Sequence, residues 1–442
     1  MAQQIPFPSW GLYPDSQASS LSWVSAHDPL PQVPAGKSLL LYGLGRSYGD
    51  SCLNDQAYLV PSNHIDHFLS FDPATGVLRC EAGVALVTIL KLVVTQGWFL
   101  PVTPGTKFVT VGGAIANDIH GKNHHCDGNF GHHVRSFELL RSDGTRRICS
   151  PREHADLFHA TIGGLGLTGA ITWAEIQLKR IQSPFIAQEV VKFRNLKEFF
   201  RLSAESERDF MYTVSWVDCL AKGENLGRGL FMRGNHAPPG VESERGLSRP
   251  KSAMVPIFFP NFALNPLSVR AFNLLYYNKQ QTASVSSVIP YDPFFYPLDA
   301  IHHWNRIYGR RGFLQWQCVV PFRDGEEAIR EIFHRIAHSK LGSFLAVLKT
   351  FGSIPSIGLL SFPREGVTLA LDFPNVGSRL FKLLEELDQI VLQSRGAIYP
   401  AKDARMSPVM FEASFPRINE FEAFTDPHFS SSFWRRVREG KN

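Results

Sequence analysis

The chain has 442 residues, 44% of them hydrophobic and 19% charged, with a formal net charge of +5. That length exceeds what one core ordinarily supports, so two domains are expected. No basic run is dense enough for a nucleic-acid partner. The six cysteines (Cys52, Cys80, Cys126, Cys149, Cys219, Cys318) are scattered with no Cys-x-x-Cys pair. They read as reduced thiols rather than a disulfide framework. The start, Met-Ala-Gln-Gln-Ile-Pro-Phe-Pro-Ser-Trp, has neither a basic segment nor an apolar core, so a cytoplasmic protein is expected. The most apolar window, Met254 to Leu267, is broken by Pro256, Pro260 and Pro266 and is too short to span a bilayer. Contact with a membrane would therefore be peripheral.

In chain order, Leu39–Tyr42 reads as a strand running into Gly43-Leu-Gly-Arg-Ser-Tyr-Gly49, the arrangement of a phosphate-gripping loop. Val84 to Gln96 reads as a helix closed by Gly97. The stretch from Val102 to Val134 carries Gly105, Gly112, Gly113, Gly121, Gly128 and Gly131, and reads as a cofactor site. Within it, Thr110 to Ala114 is expected to present a row of main-chain N–H donors. His120, Lys122, His124 and His125 follow, polar groups that a plain surface loop does not need. Gly164-Leu-Gly-Leu-Thr-Gly169 matches the dinucleotide fingerprint in letters only. Alternating Ala174, Ile176 and Leu178 predict a strand after it, where the fingerprint requires a helix.

A second domain is expected from Ser183, with a loop-like, Pro- and aromatic-rich middle from Asn235 to Pro297. Beyond it the pattern is regular. Strands are predicted at Phe313–Val320, Phe344–Lys349, Val367–Phe373 and Ala397–Lys402, and helices at Glu326–Ala337 and Leu380–Leu392. The order β-α-β-β-α-β is that of a ferredoxin-like unit, an antiparallel sheet with one face covered by helices. No internal repeat is visible. Strand alternation puts Gln315 and Gln317 on one face, and Thr368, Ala370 and Asp372 on one face of a neighbouring strand. With Lys349 and Lys402, such a face suits a hydroxylated, anionic ligand; a solvated sheet face is the alternative. The histidines of 120–133 lack regular ligand spacing, which argues against a zinc hydrolase.

Gly43-Leu-Gly-Arg-Ser-Tyr-Gly-Asp50, Thr110-Val-Gly-Gly-Ala114 and Asp118-Ile-His-Gly-Lys-Asn-His-His125 resemble the flavin-binding domain of the vanillyl-alcohol-oxidase/PCMH superfamily. Leu165-Gly-Leu-Thr-Gly169, Gly312-Phe-Leu-Gln-Trp-Gln317 and Ala401-Lys-Asp-Ala-Arg405 narrow the resemblance to the decaprenylphosphoryl-ribose oxidase family, from about Leu39 to Pro416. The resemblance implies an α+β, two-domain fold. A PCMH-type FAD-binding domain would span residues 1–183 and a substrate domain, an antiparallel sheet flanked by helices, 184–396. Residues 397–442 would return to the FAD domain. It also implies FAD contacts from Gly43, Leu44, Gly45, Arg46, Ser47, Tyr48, Gly49, Gly105, Thr110, Val111, Gly112, Gly113, Asn117, His120, Ile171 and Tyr399. Substrate contacts would come from Lys122, Trp216, Gln315, Gln317, Lys349 and Lys402, with Lys402, Lys349 and His120 catalytic.

The implied reaction is oxidation of the 2′-hydroxyl of a polyprenyl-phosphoryl-β-D-ribose, the first half of an epimerisation. A short-chain NAD(P)H-dependent reductase would be its partner. An alditol or aldonolactone oxidase is the rival reading within the superfamily. Two departures carry consequences. Arg46 stands where covalent-flavin members carry a histidine, so the FAD is expected to be non-covalent. Thr368 and Ala370 stand where mycobacterial members have asparagine and cysteine, so cysteine-directed covalent inhibitors are expected to fail.

Overall fold

The computed structural model of the chain describes residues 7–243, Gly246 and 252–438. In the N-terminal part, Leu39–Tyr42 and Ser19–Ser20 flank Tyr58–Pro61 in a three-stranded parallel sheet. A five-stranded antiparallel sheet runs Phe68–Asp72, Val77–Glu81, Ala170–Gln177, Val134–Leu140, Arg146–Cys149. The helix expected after Val84 occupies Leu86–Val93 and buries Leu86, Ile89, Leu90 and Val93, the spacing of one helix face. A strand, not a helix, follows Gly169, so the dinucleotide fingerprint is rightly set aside.

The second part is one eight-stranded sheet. Its elements are β1 (Phe185–Phe193), α1 (Leu196–Ser206), β2 (Tyr212–Val217), β3 (Gly229–His236), α2 (Pro266–Asn278), β4 (Ser284–Pro290), β5 (Phe313–Val320), α3 (Phe322–Ser339), β6 (Ala346–Phe351), β7 (Gly366–Pro374), α4 (Ser378–Gln393) and β8 (Ala397–Ile398). The strand order is β4-β1-β3-β2-β6-β7-β5-β8, every neighbouring pair antiparallel. The half from β5 to β8 has the ferredoxin-like arrangement that its sequence pattern predicts. Leu314, Trp316 and Cys318 of β5, with Leu369 and Leu371 of β7, pack with α3 and α4 in one core. Gln315, Gln317, Thr368, Ala370 and Asp372 take the opposite face.

Three expectations are corrected. The half from β1 to β4 repeats the same strand order, and the two halves meet at β2 and β6. The chain therefore holds a topological repeat that its sequence conceals, because matching positions share only a polar/apolar rhythm. The middle segment is not loop-like throughout: it holds α2, β4 and a short helix at Tyr291–Phe295, although residues 247–251 lie outside the described set. Asn265 caps α2 by accepting from Leu267 N and Ser268 N, and Pro266 opens it. That start signal was legible, but the aromatic richness masked it. Finally, the last strand ends at Ile398 and Pro400–Lys402 forms a 3-10 turn, since Pro400 has no N–H for a ladder.

β8 pairs with β5, so the chain leaves the eight-stranded sheet only after Ile398. It then returns to the first sheet. Leu39 N donates to His428 O at 2.8 Å, and the Arg436 guanidinium bonds Asp50 and Asp403 at 2.7 to 2.9 Å.

Candidate active site

Between the helix-free face of the large sheet and the glycine loops lies a cavity of about 1420 Å³. On the N-terminal side, the loop after Leu39–Tyr42 is held by Trp10 N donating to Ser47 O at 2.8 Å and Tyr48 N to Ala401 O at 2.9 Å. The N–H groups of Leu44, Gly45, Arg46 and Ser47 find no acceptor among the described residues, and all four residues line the cavity. Gly45 has φ +60, and a Cβ there would lie 2.0 Å from the Tyr42 hydroxyl. Only glycine fits. Unpaired, clustered amides suit an anionic group such as a pyrophosphate.

The second glycine segment behaves differently. Val111 N donates to Val84 O, Gly112 N to Ala82 O and Ala114 N to Thr110 O, while Gly113 N donates to the capping Thr110 Oγ1. The expected row of free donors is thus absent, because these amides stitch the short helix Val111–Ala116 to its neighbours. Gly112, Gly113 and Asn117 still line the cavity, with Gly105, Ile171 and Tyr399. A Cβ at Gly112 would press on Ala82 at 3.1 Å. Two expected cofactor residues do not reach the cavity. Val111 is buried in the domain core. Gly49 is required elsewhere, since its Cβ would sit 1.7 Å from Asp403 O.

From the sheet side, Gln315, Gln317, Lys349 and Trp216 reach the cavity, joined by Lys122 and Lys402 from loops. Lys349 Nζ lies 3.0 Å from His120 Nδ1 and donates to Gly121 O at 2.7 Å. Gln317 Nε2 lies 3.1 Å from both His120 Nε2 and Thr368 Oγ1. Lys122 Nζ donates to Phe294 O. Lys402 Nζ rests 3.8 Å from the Tyr48 ring centre, a cation–π contact. Trp216 donates from Nε1 to Phe344 O at 2.9 Å, so it serves as wall rather than free donor.

Three lysines lining one cavity are buried and resist ionisation. Burial pushes Lys349 down to about 7, with Lys122 and Lys402 adding to the effect, and burial alone takes Lys122 to about 7. Lys402 is lowered by burial and partly held up by Asp372. His120 is pushed well below its ordinary value by burial, then by Lys349, His124 and Lys402, which keeps it neutral.

Sequence reasoning put Asp372 on the correct face but gave it no role. It accepts from Gln315 Nε2, its cross-strand neighbour, and burial raises its pKa. Asp118 was read only as part of a motif. It is fully buried and accepts from Gly131 N at 2.8 Å, Asn129 Nδ2 at 3.0 Å and Ser361 Oγ at 2.5 Å. It thereby pins the loop that carries His120 to the segment between β6 and β7. Nothing in one sequence reveals that link, because Ser361 is distant in the chain. The other loop histidines do not converge: His125 and His133 bond main-chain carbonyls of Phe210 and Asp127. Among the described residues no three His, Cys, Asp or Glu side chains group around a metal position.

The profile of an FAD binding domain matches residues 34–150. The decaprenylphosphoryl-β-D-ribose oxidase of Mycolicibacterium smegmatis is 36% identical over 450 residues, covering 97% of this chain and 96% of that protein. An uncharacterised protein of Streptomyces coelicolor is 32% identical over 381 residues, 80% of this chain and all of its own. A Neurospora crassa protein named for D-arabinono-1,4-lactone oxidation is 28% identical over 140 residues, only 31% of this chain and 24% of its own. The cavity thus combines unpaired amides with buried lysines, and by near-full-length identity the chain belongs to the decaprenylphosphoryl-β-D-ribose oxidase family of FAD-dependent oxidoreductases.

Proposed function

We propose that the chain oxidises the 2′-hydroxyl of a polyprenyl-phosphoryl-β-D-ribose to the 2′-keto sugar, with FAD held non-covalently. The observation that carries this reading is the convergence of Lys122, Lys349 and Lys402 on a cavity that begins at the unpaired amides of Leu44 to Ser47. Buried ammonium groups favour a ligand with fixed negative charge. A glycosyl phosphate supplies one, and a free sugar alcohol does not. Non-covalent flavin is supported by Arg46, whose guanidinium stacks 4.2 Å from the Trp10 ring centre and offers no imidazole for a flavin bond.

When bound, FAD supplies the hydride acceptor. The residues of the chain then have three tasks. The amides of Leu44 to Ser47 would hold the pyrophosphate, with Gly105, Thr110, Gly112, Gly113, Asn117, Ile171 and Tyr399 along the rest of the cofactor. Gln315 and Gln317 would orient sugar hydroxyls, and Lys122 and Lys349 would face the phosphate as point charges. Lys402 would accept the hydroxyl proton, since burial favours its free amine. Neutral His120, in contact with Lys349 and Gln317 through its two ring nitrogens, would fix both around the sugar. The product ketone needs a reductant to complete an epimerisation, a role suited to a short-chain NAD(P)H-dependent reductase. A lipid-linked substrate also implies work at a membrane surface.

The test is anaerobic mixing of the purified protein with polyprenyl-phosphoryl ribose while following the absorption of oxidised flavin. Bleaching by the glycosyl phosphate is expected. Bleaching by free alditols alone, or by neither, would reject the assignment.

A further inference from the structure

Helix α2 carries an apolar stripe on its outer side. It buries Val269, Asn273 and Tyr277, and the buried position Asn273 is occupied by an amide that donates to Asp218 Oδ1 at 3.0 Å. Its leucines face the other way: Leu267 is 80% and Leu275 73% exposed. In the segment leading into the helix, Phe262 is 78% and Ile257 69% exposed. Large apolar side chains gathered in this way mark an interaction surface.

The charge within this segment is one-sided. From Ser252 to Tyr291 the sequence has no Asp or Glu, but it has Arg270 and Lys279. Arg306 and Arg310 both lie 5.7 Å from the Phe258 ring centre. The same helix borders the cavity, which Phe272, Tyr276 and Lys279 help to line. Two copies of this face would bring like charges together. An apolar surface flanked by Arg270, Lys279, Arg306 and Arg310 complements a surface that is apolar within and anionic at its boundary.

We propose that the outer face of α2 and the segment 254–262 dock on an anionic lipid bilayer, bringing the cavity beside the membrane. The purpose of this docking rests on the lipid-linked substrate proposed above; the docking itself does not, and can be measured without turnover.

The purified full chain is sedimented with vesicles of phosphatidylcholine containing phosphatidylglycerol, and with phosphatidylcholine alone. Binding to the anionic vesicles only is expected, weakening as salt is raised. The triple variant Phe262→Ser, Leu267→Ser, Leu275→Ser should partition at least about ten-fold less, and Arg270→Glu alone about five-fold or more less. Because these side chains are exposed, the variants should keep their flavin and their turnover of a detergent-dispersed substrate. Equal vesicle binding by wild type and triple variant would overturn the proposal. So would indifference to lipid charge, or a wild-type dimer that the triple variant dissolves. A chain that binds anionic vesicles yet is never reduced by polyprenyl-phosphoryl ribose would sink the substrate assignment and leave the docking surface standing.

Discussion

Lys349 Nζ stands 3.0 Å from His120 Nδ1, and this contact joins the eight-stranded sheet to the loop of the N-terminal part. A lysine can give a proton to that nitrogen only if the imidazole is neutral there. The other ring nitrogen, Nε2, lies 3.1 Å from the Gln317 amide nitrogen, so the ring is held from both sides. The same amide nitrogen donates to Thr368 Oγ1 at 3.1 Å, so Gln317 links His120 to strand β7.

Replacement of His120 by alanine should therefore disorder both Lys349 and Gln317. Turnover is expected to fall roughly 10²-fold, in the range of a misplaced acid–base group, while the flavin remains bound. His120→Gln should recover part of the loss. Steady-state rates beside the flavin-to-protein absorbance ratio decide it, and a loss of flavin in step with activity would point to a merely structural role.

Lys402→Ala is expected to slow flavin reduction by about 10²–10⁴-fold if the amine takes the hydroxyl proton. Lys402→Arg should not rescue it, since a guanidinium does not give up its proton. Asp372 holds the Lys402 pKa up, so Asp372→Asn should move the acid limb of the pH–rate profile to lower pH. Stopped-flow reduction rates across pH would expose the shift; an unmoved limb would separate Asp372 from the chemistry.

Stability should depend on pH through the same lysines. Lys122 and Lys349 have folded values of about 7 against 10.5 in the unfolded chain. Between those values the unfolded chain binds more protons, so stability should rise with pH from about 7 toward 10.5. The cost of burying these amines is felt in full below about 7. Thermal midpoints measured without sugar phosphate should climb over this window, and Lys349→Met should flatten the climb. A midpoint that falls with pH in wild type, with the fall unchanged in the variant, would contradict the assignment.

Gly45 and Gly49 lie four positions apart and should fail differently. Gly45→Ala places a methyl against the Tyr42 hydroxyl beside the unpaired amides, so reduced flavin content in a folded protein is expected. Gly49→Ala collides with the Asp403 carbonyl where the C-terminal segment docks. Near it, Arg436 pairs with the buried Asp50, and losing such a pairing costs about 3–5 kcal/mol. The midpoint should fall sharply before any effect on flavin appears. Flavin absorbance and thermal melts on the two variants separate the cases.

Local chemistry was enough to read much of this protein. Alternation placed Gln315, Gln317 and Asp372 on one face and Trp316 and Leu371 on the other, because side chains along a strand must point to opposite sides. The glycines of Gly43 to Gly49 announced a loop that no bulkier residue could form, and the residues around Asp118 to His125 carried the family resemblance. Only the tertiary structure decided which amides remain free. Thr110 to Ala114 reads as a donor row in one dimension, yet Val84 and Ala82 take up the N–H groups of Val111 and Gly112, and Thr110 those of Gly113 and Ala114. It also decided that Asp118 holds Ser361, that Lys349 meets His120, and that two halves with unlike sequences share one strand order. Periodicity depends on neighbours along the chain and survives in a single sequence. A hydrogen bond between residues far apart depends on how the sheets pack, and no local pattern encodes it.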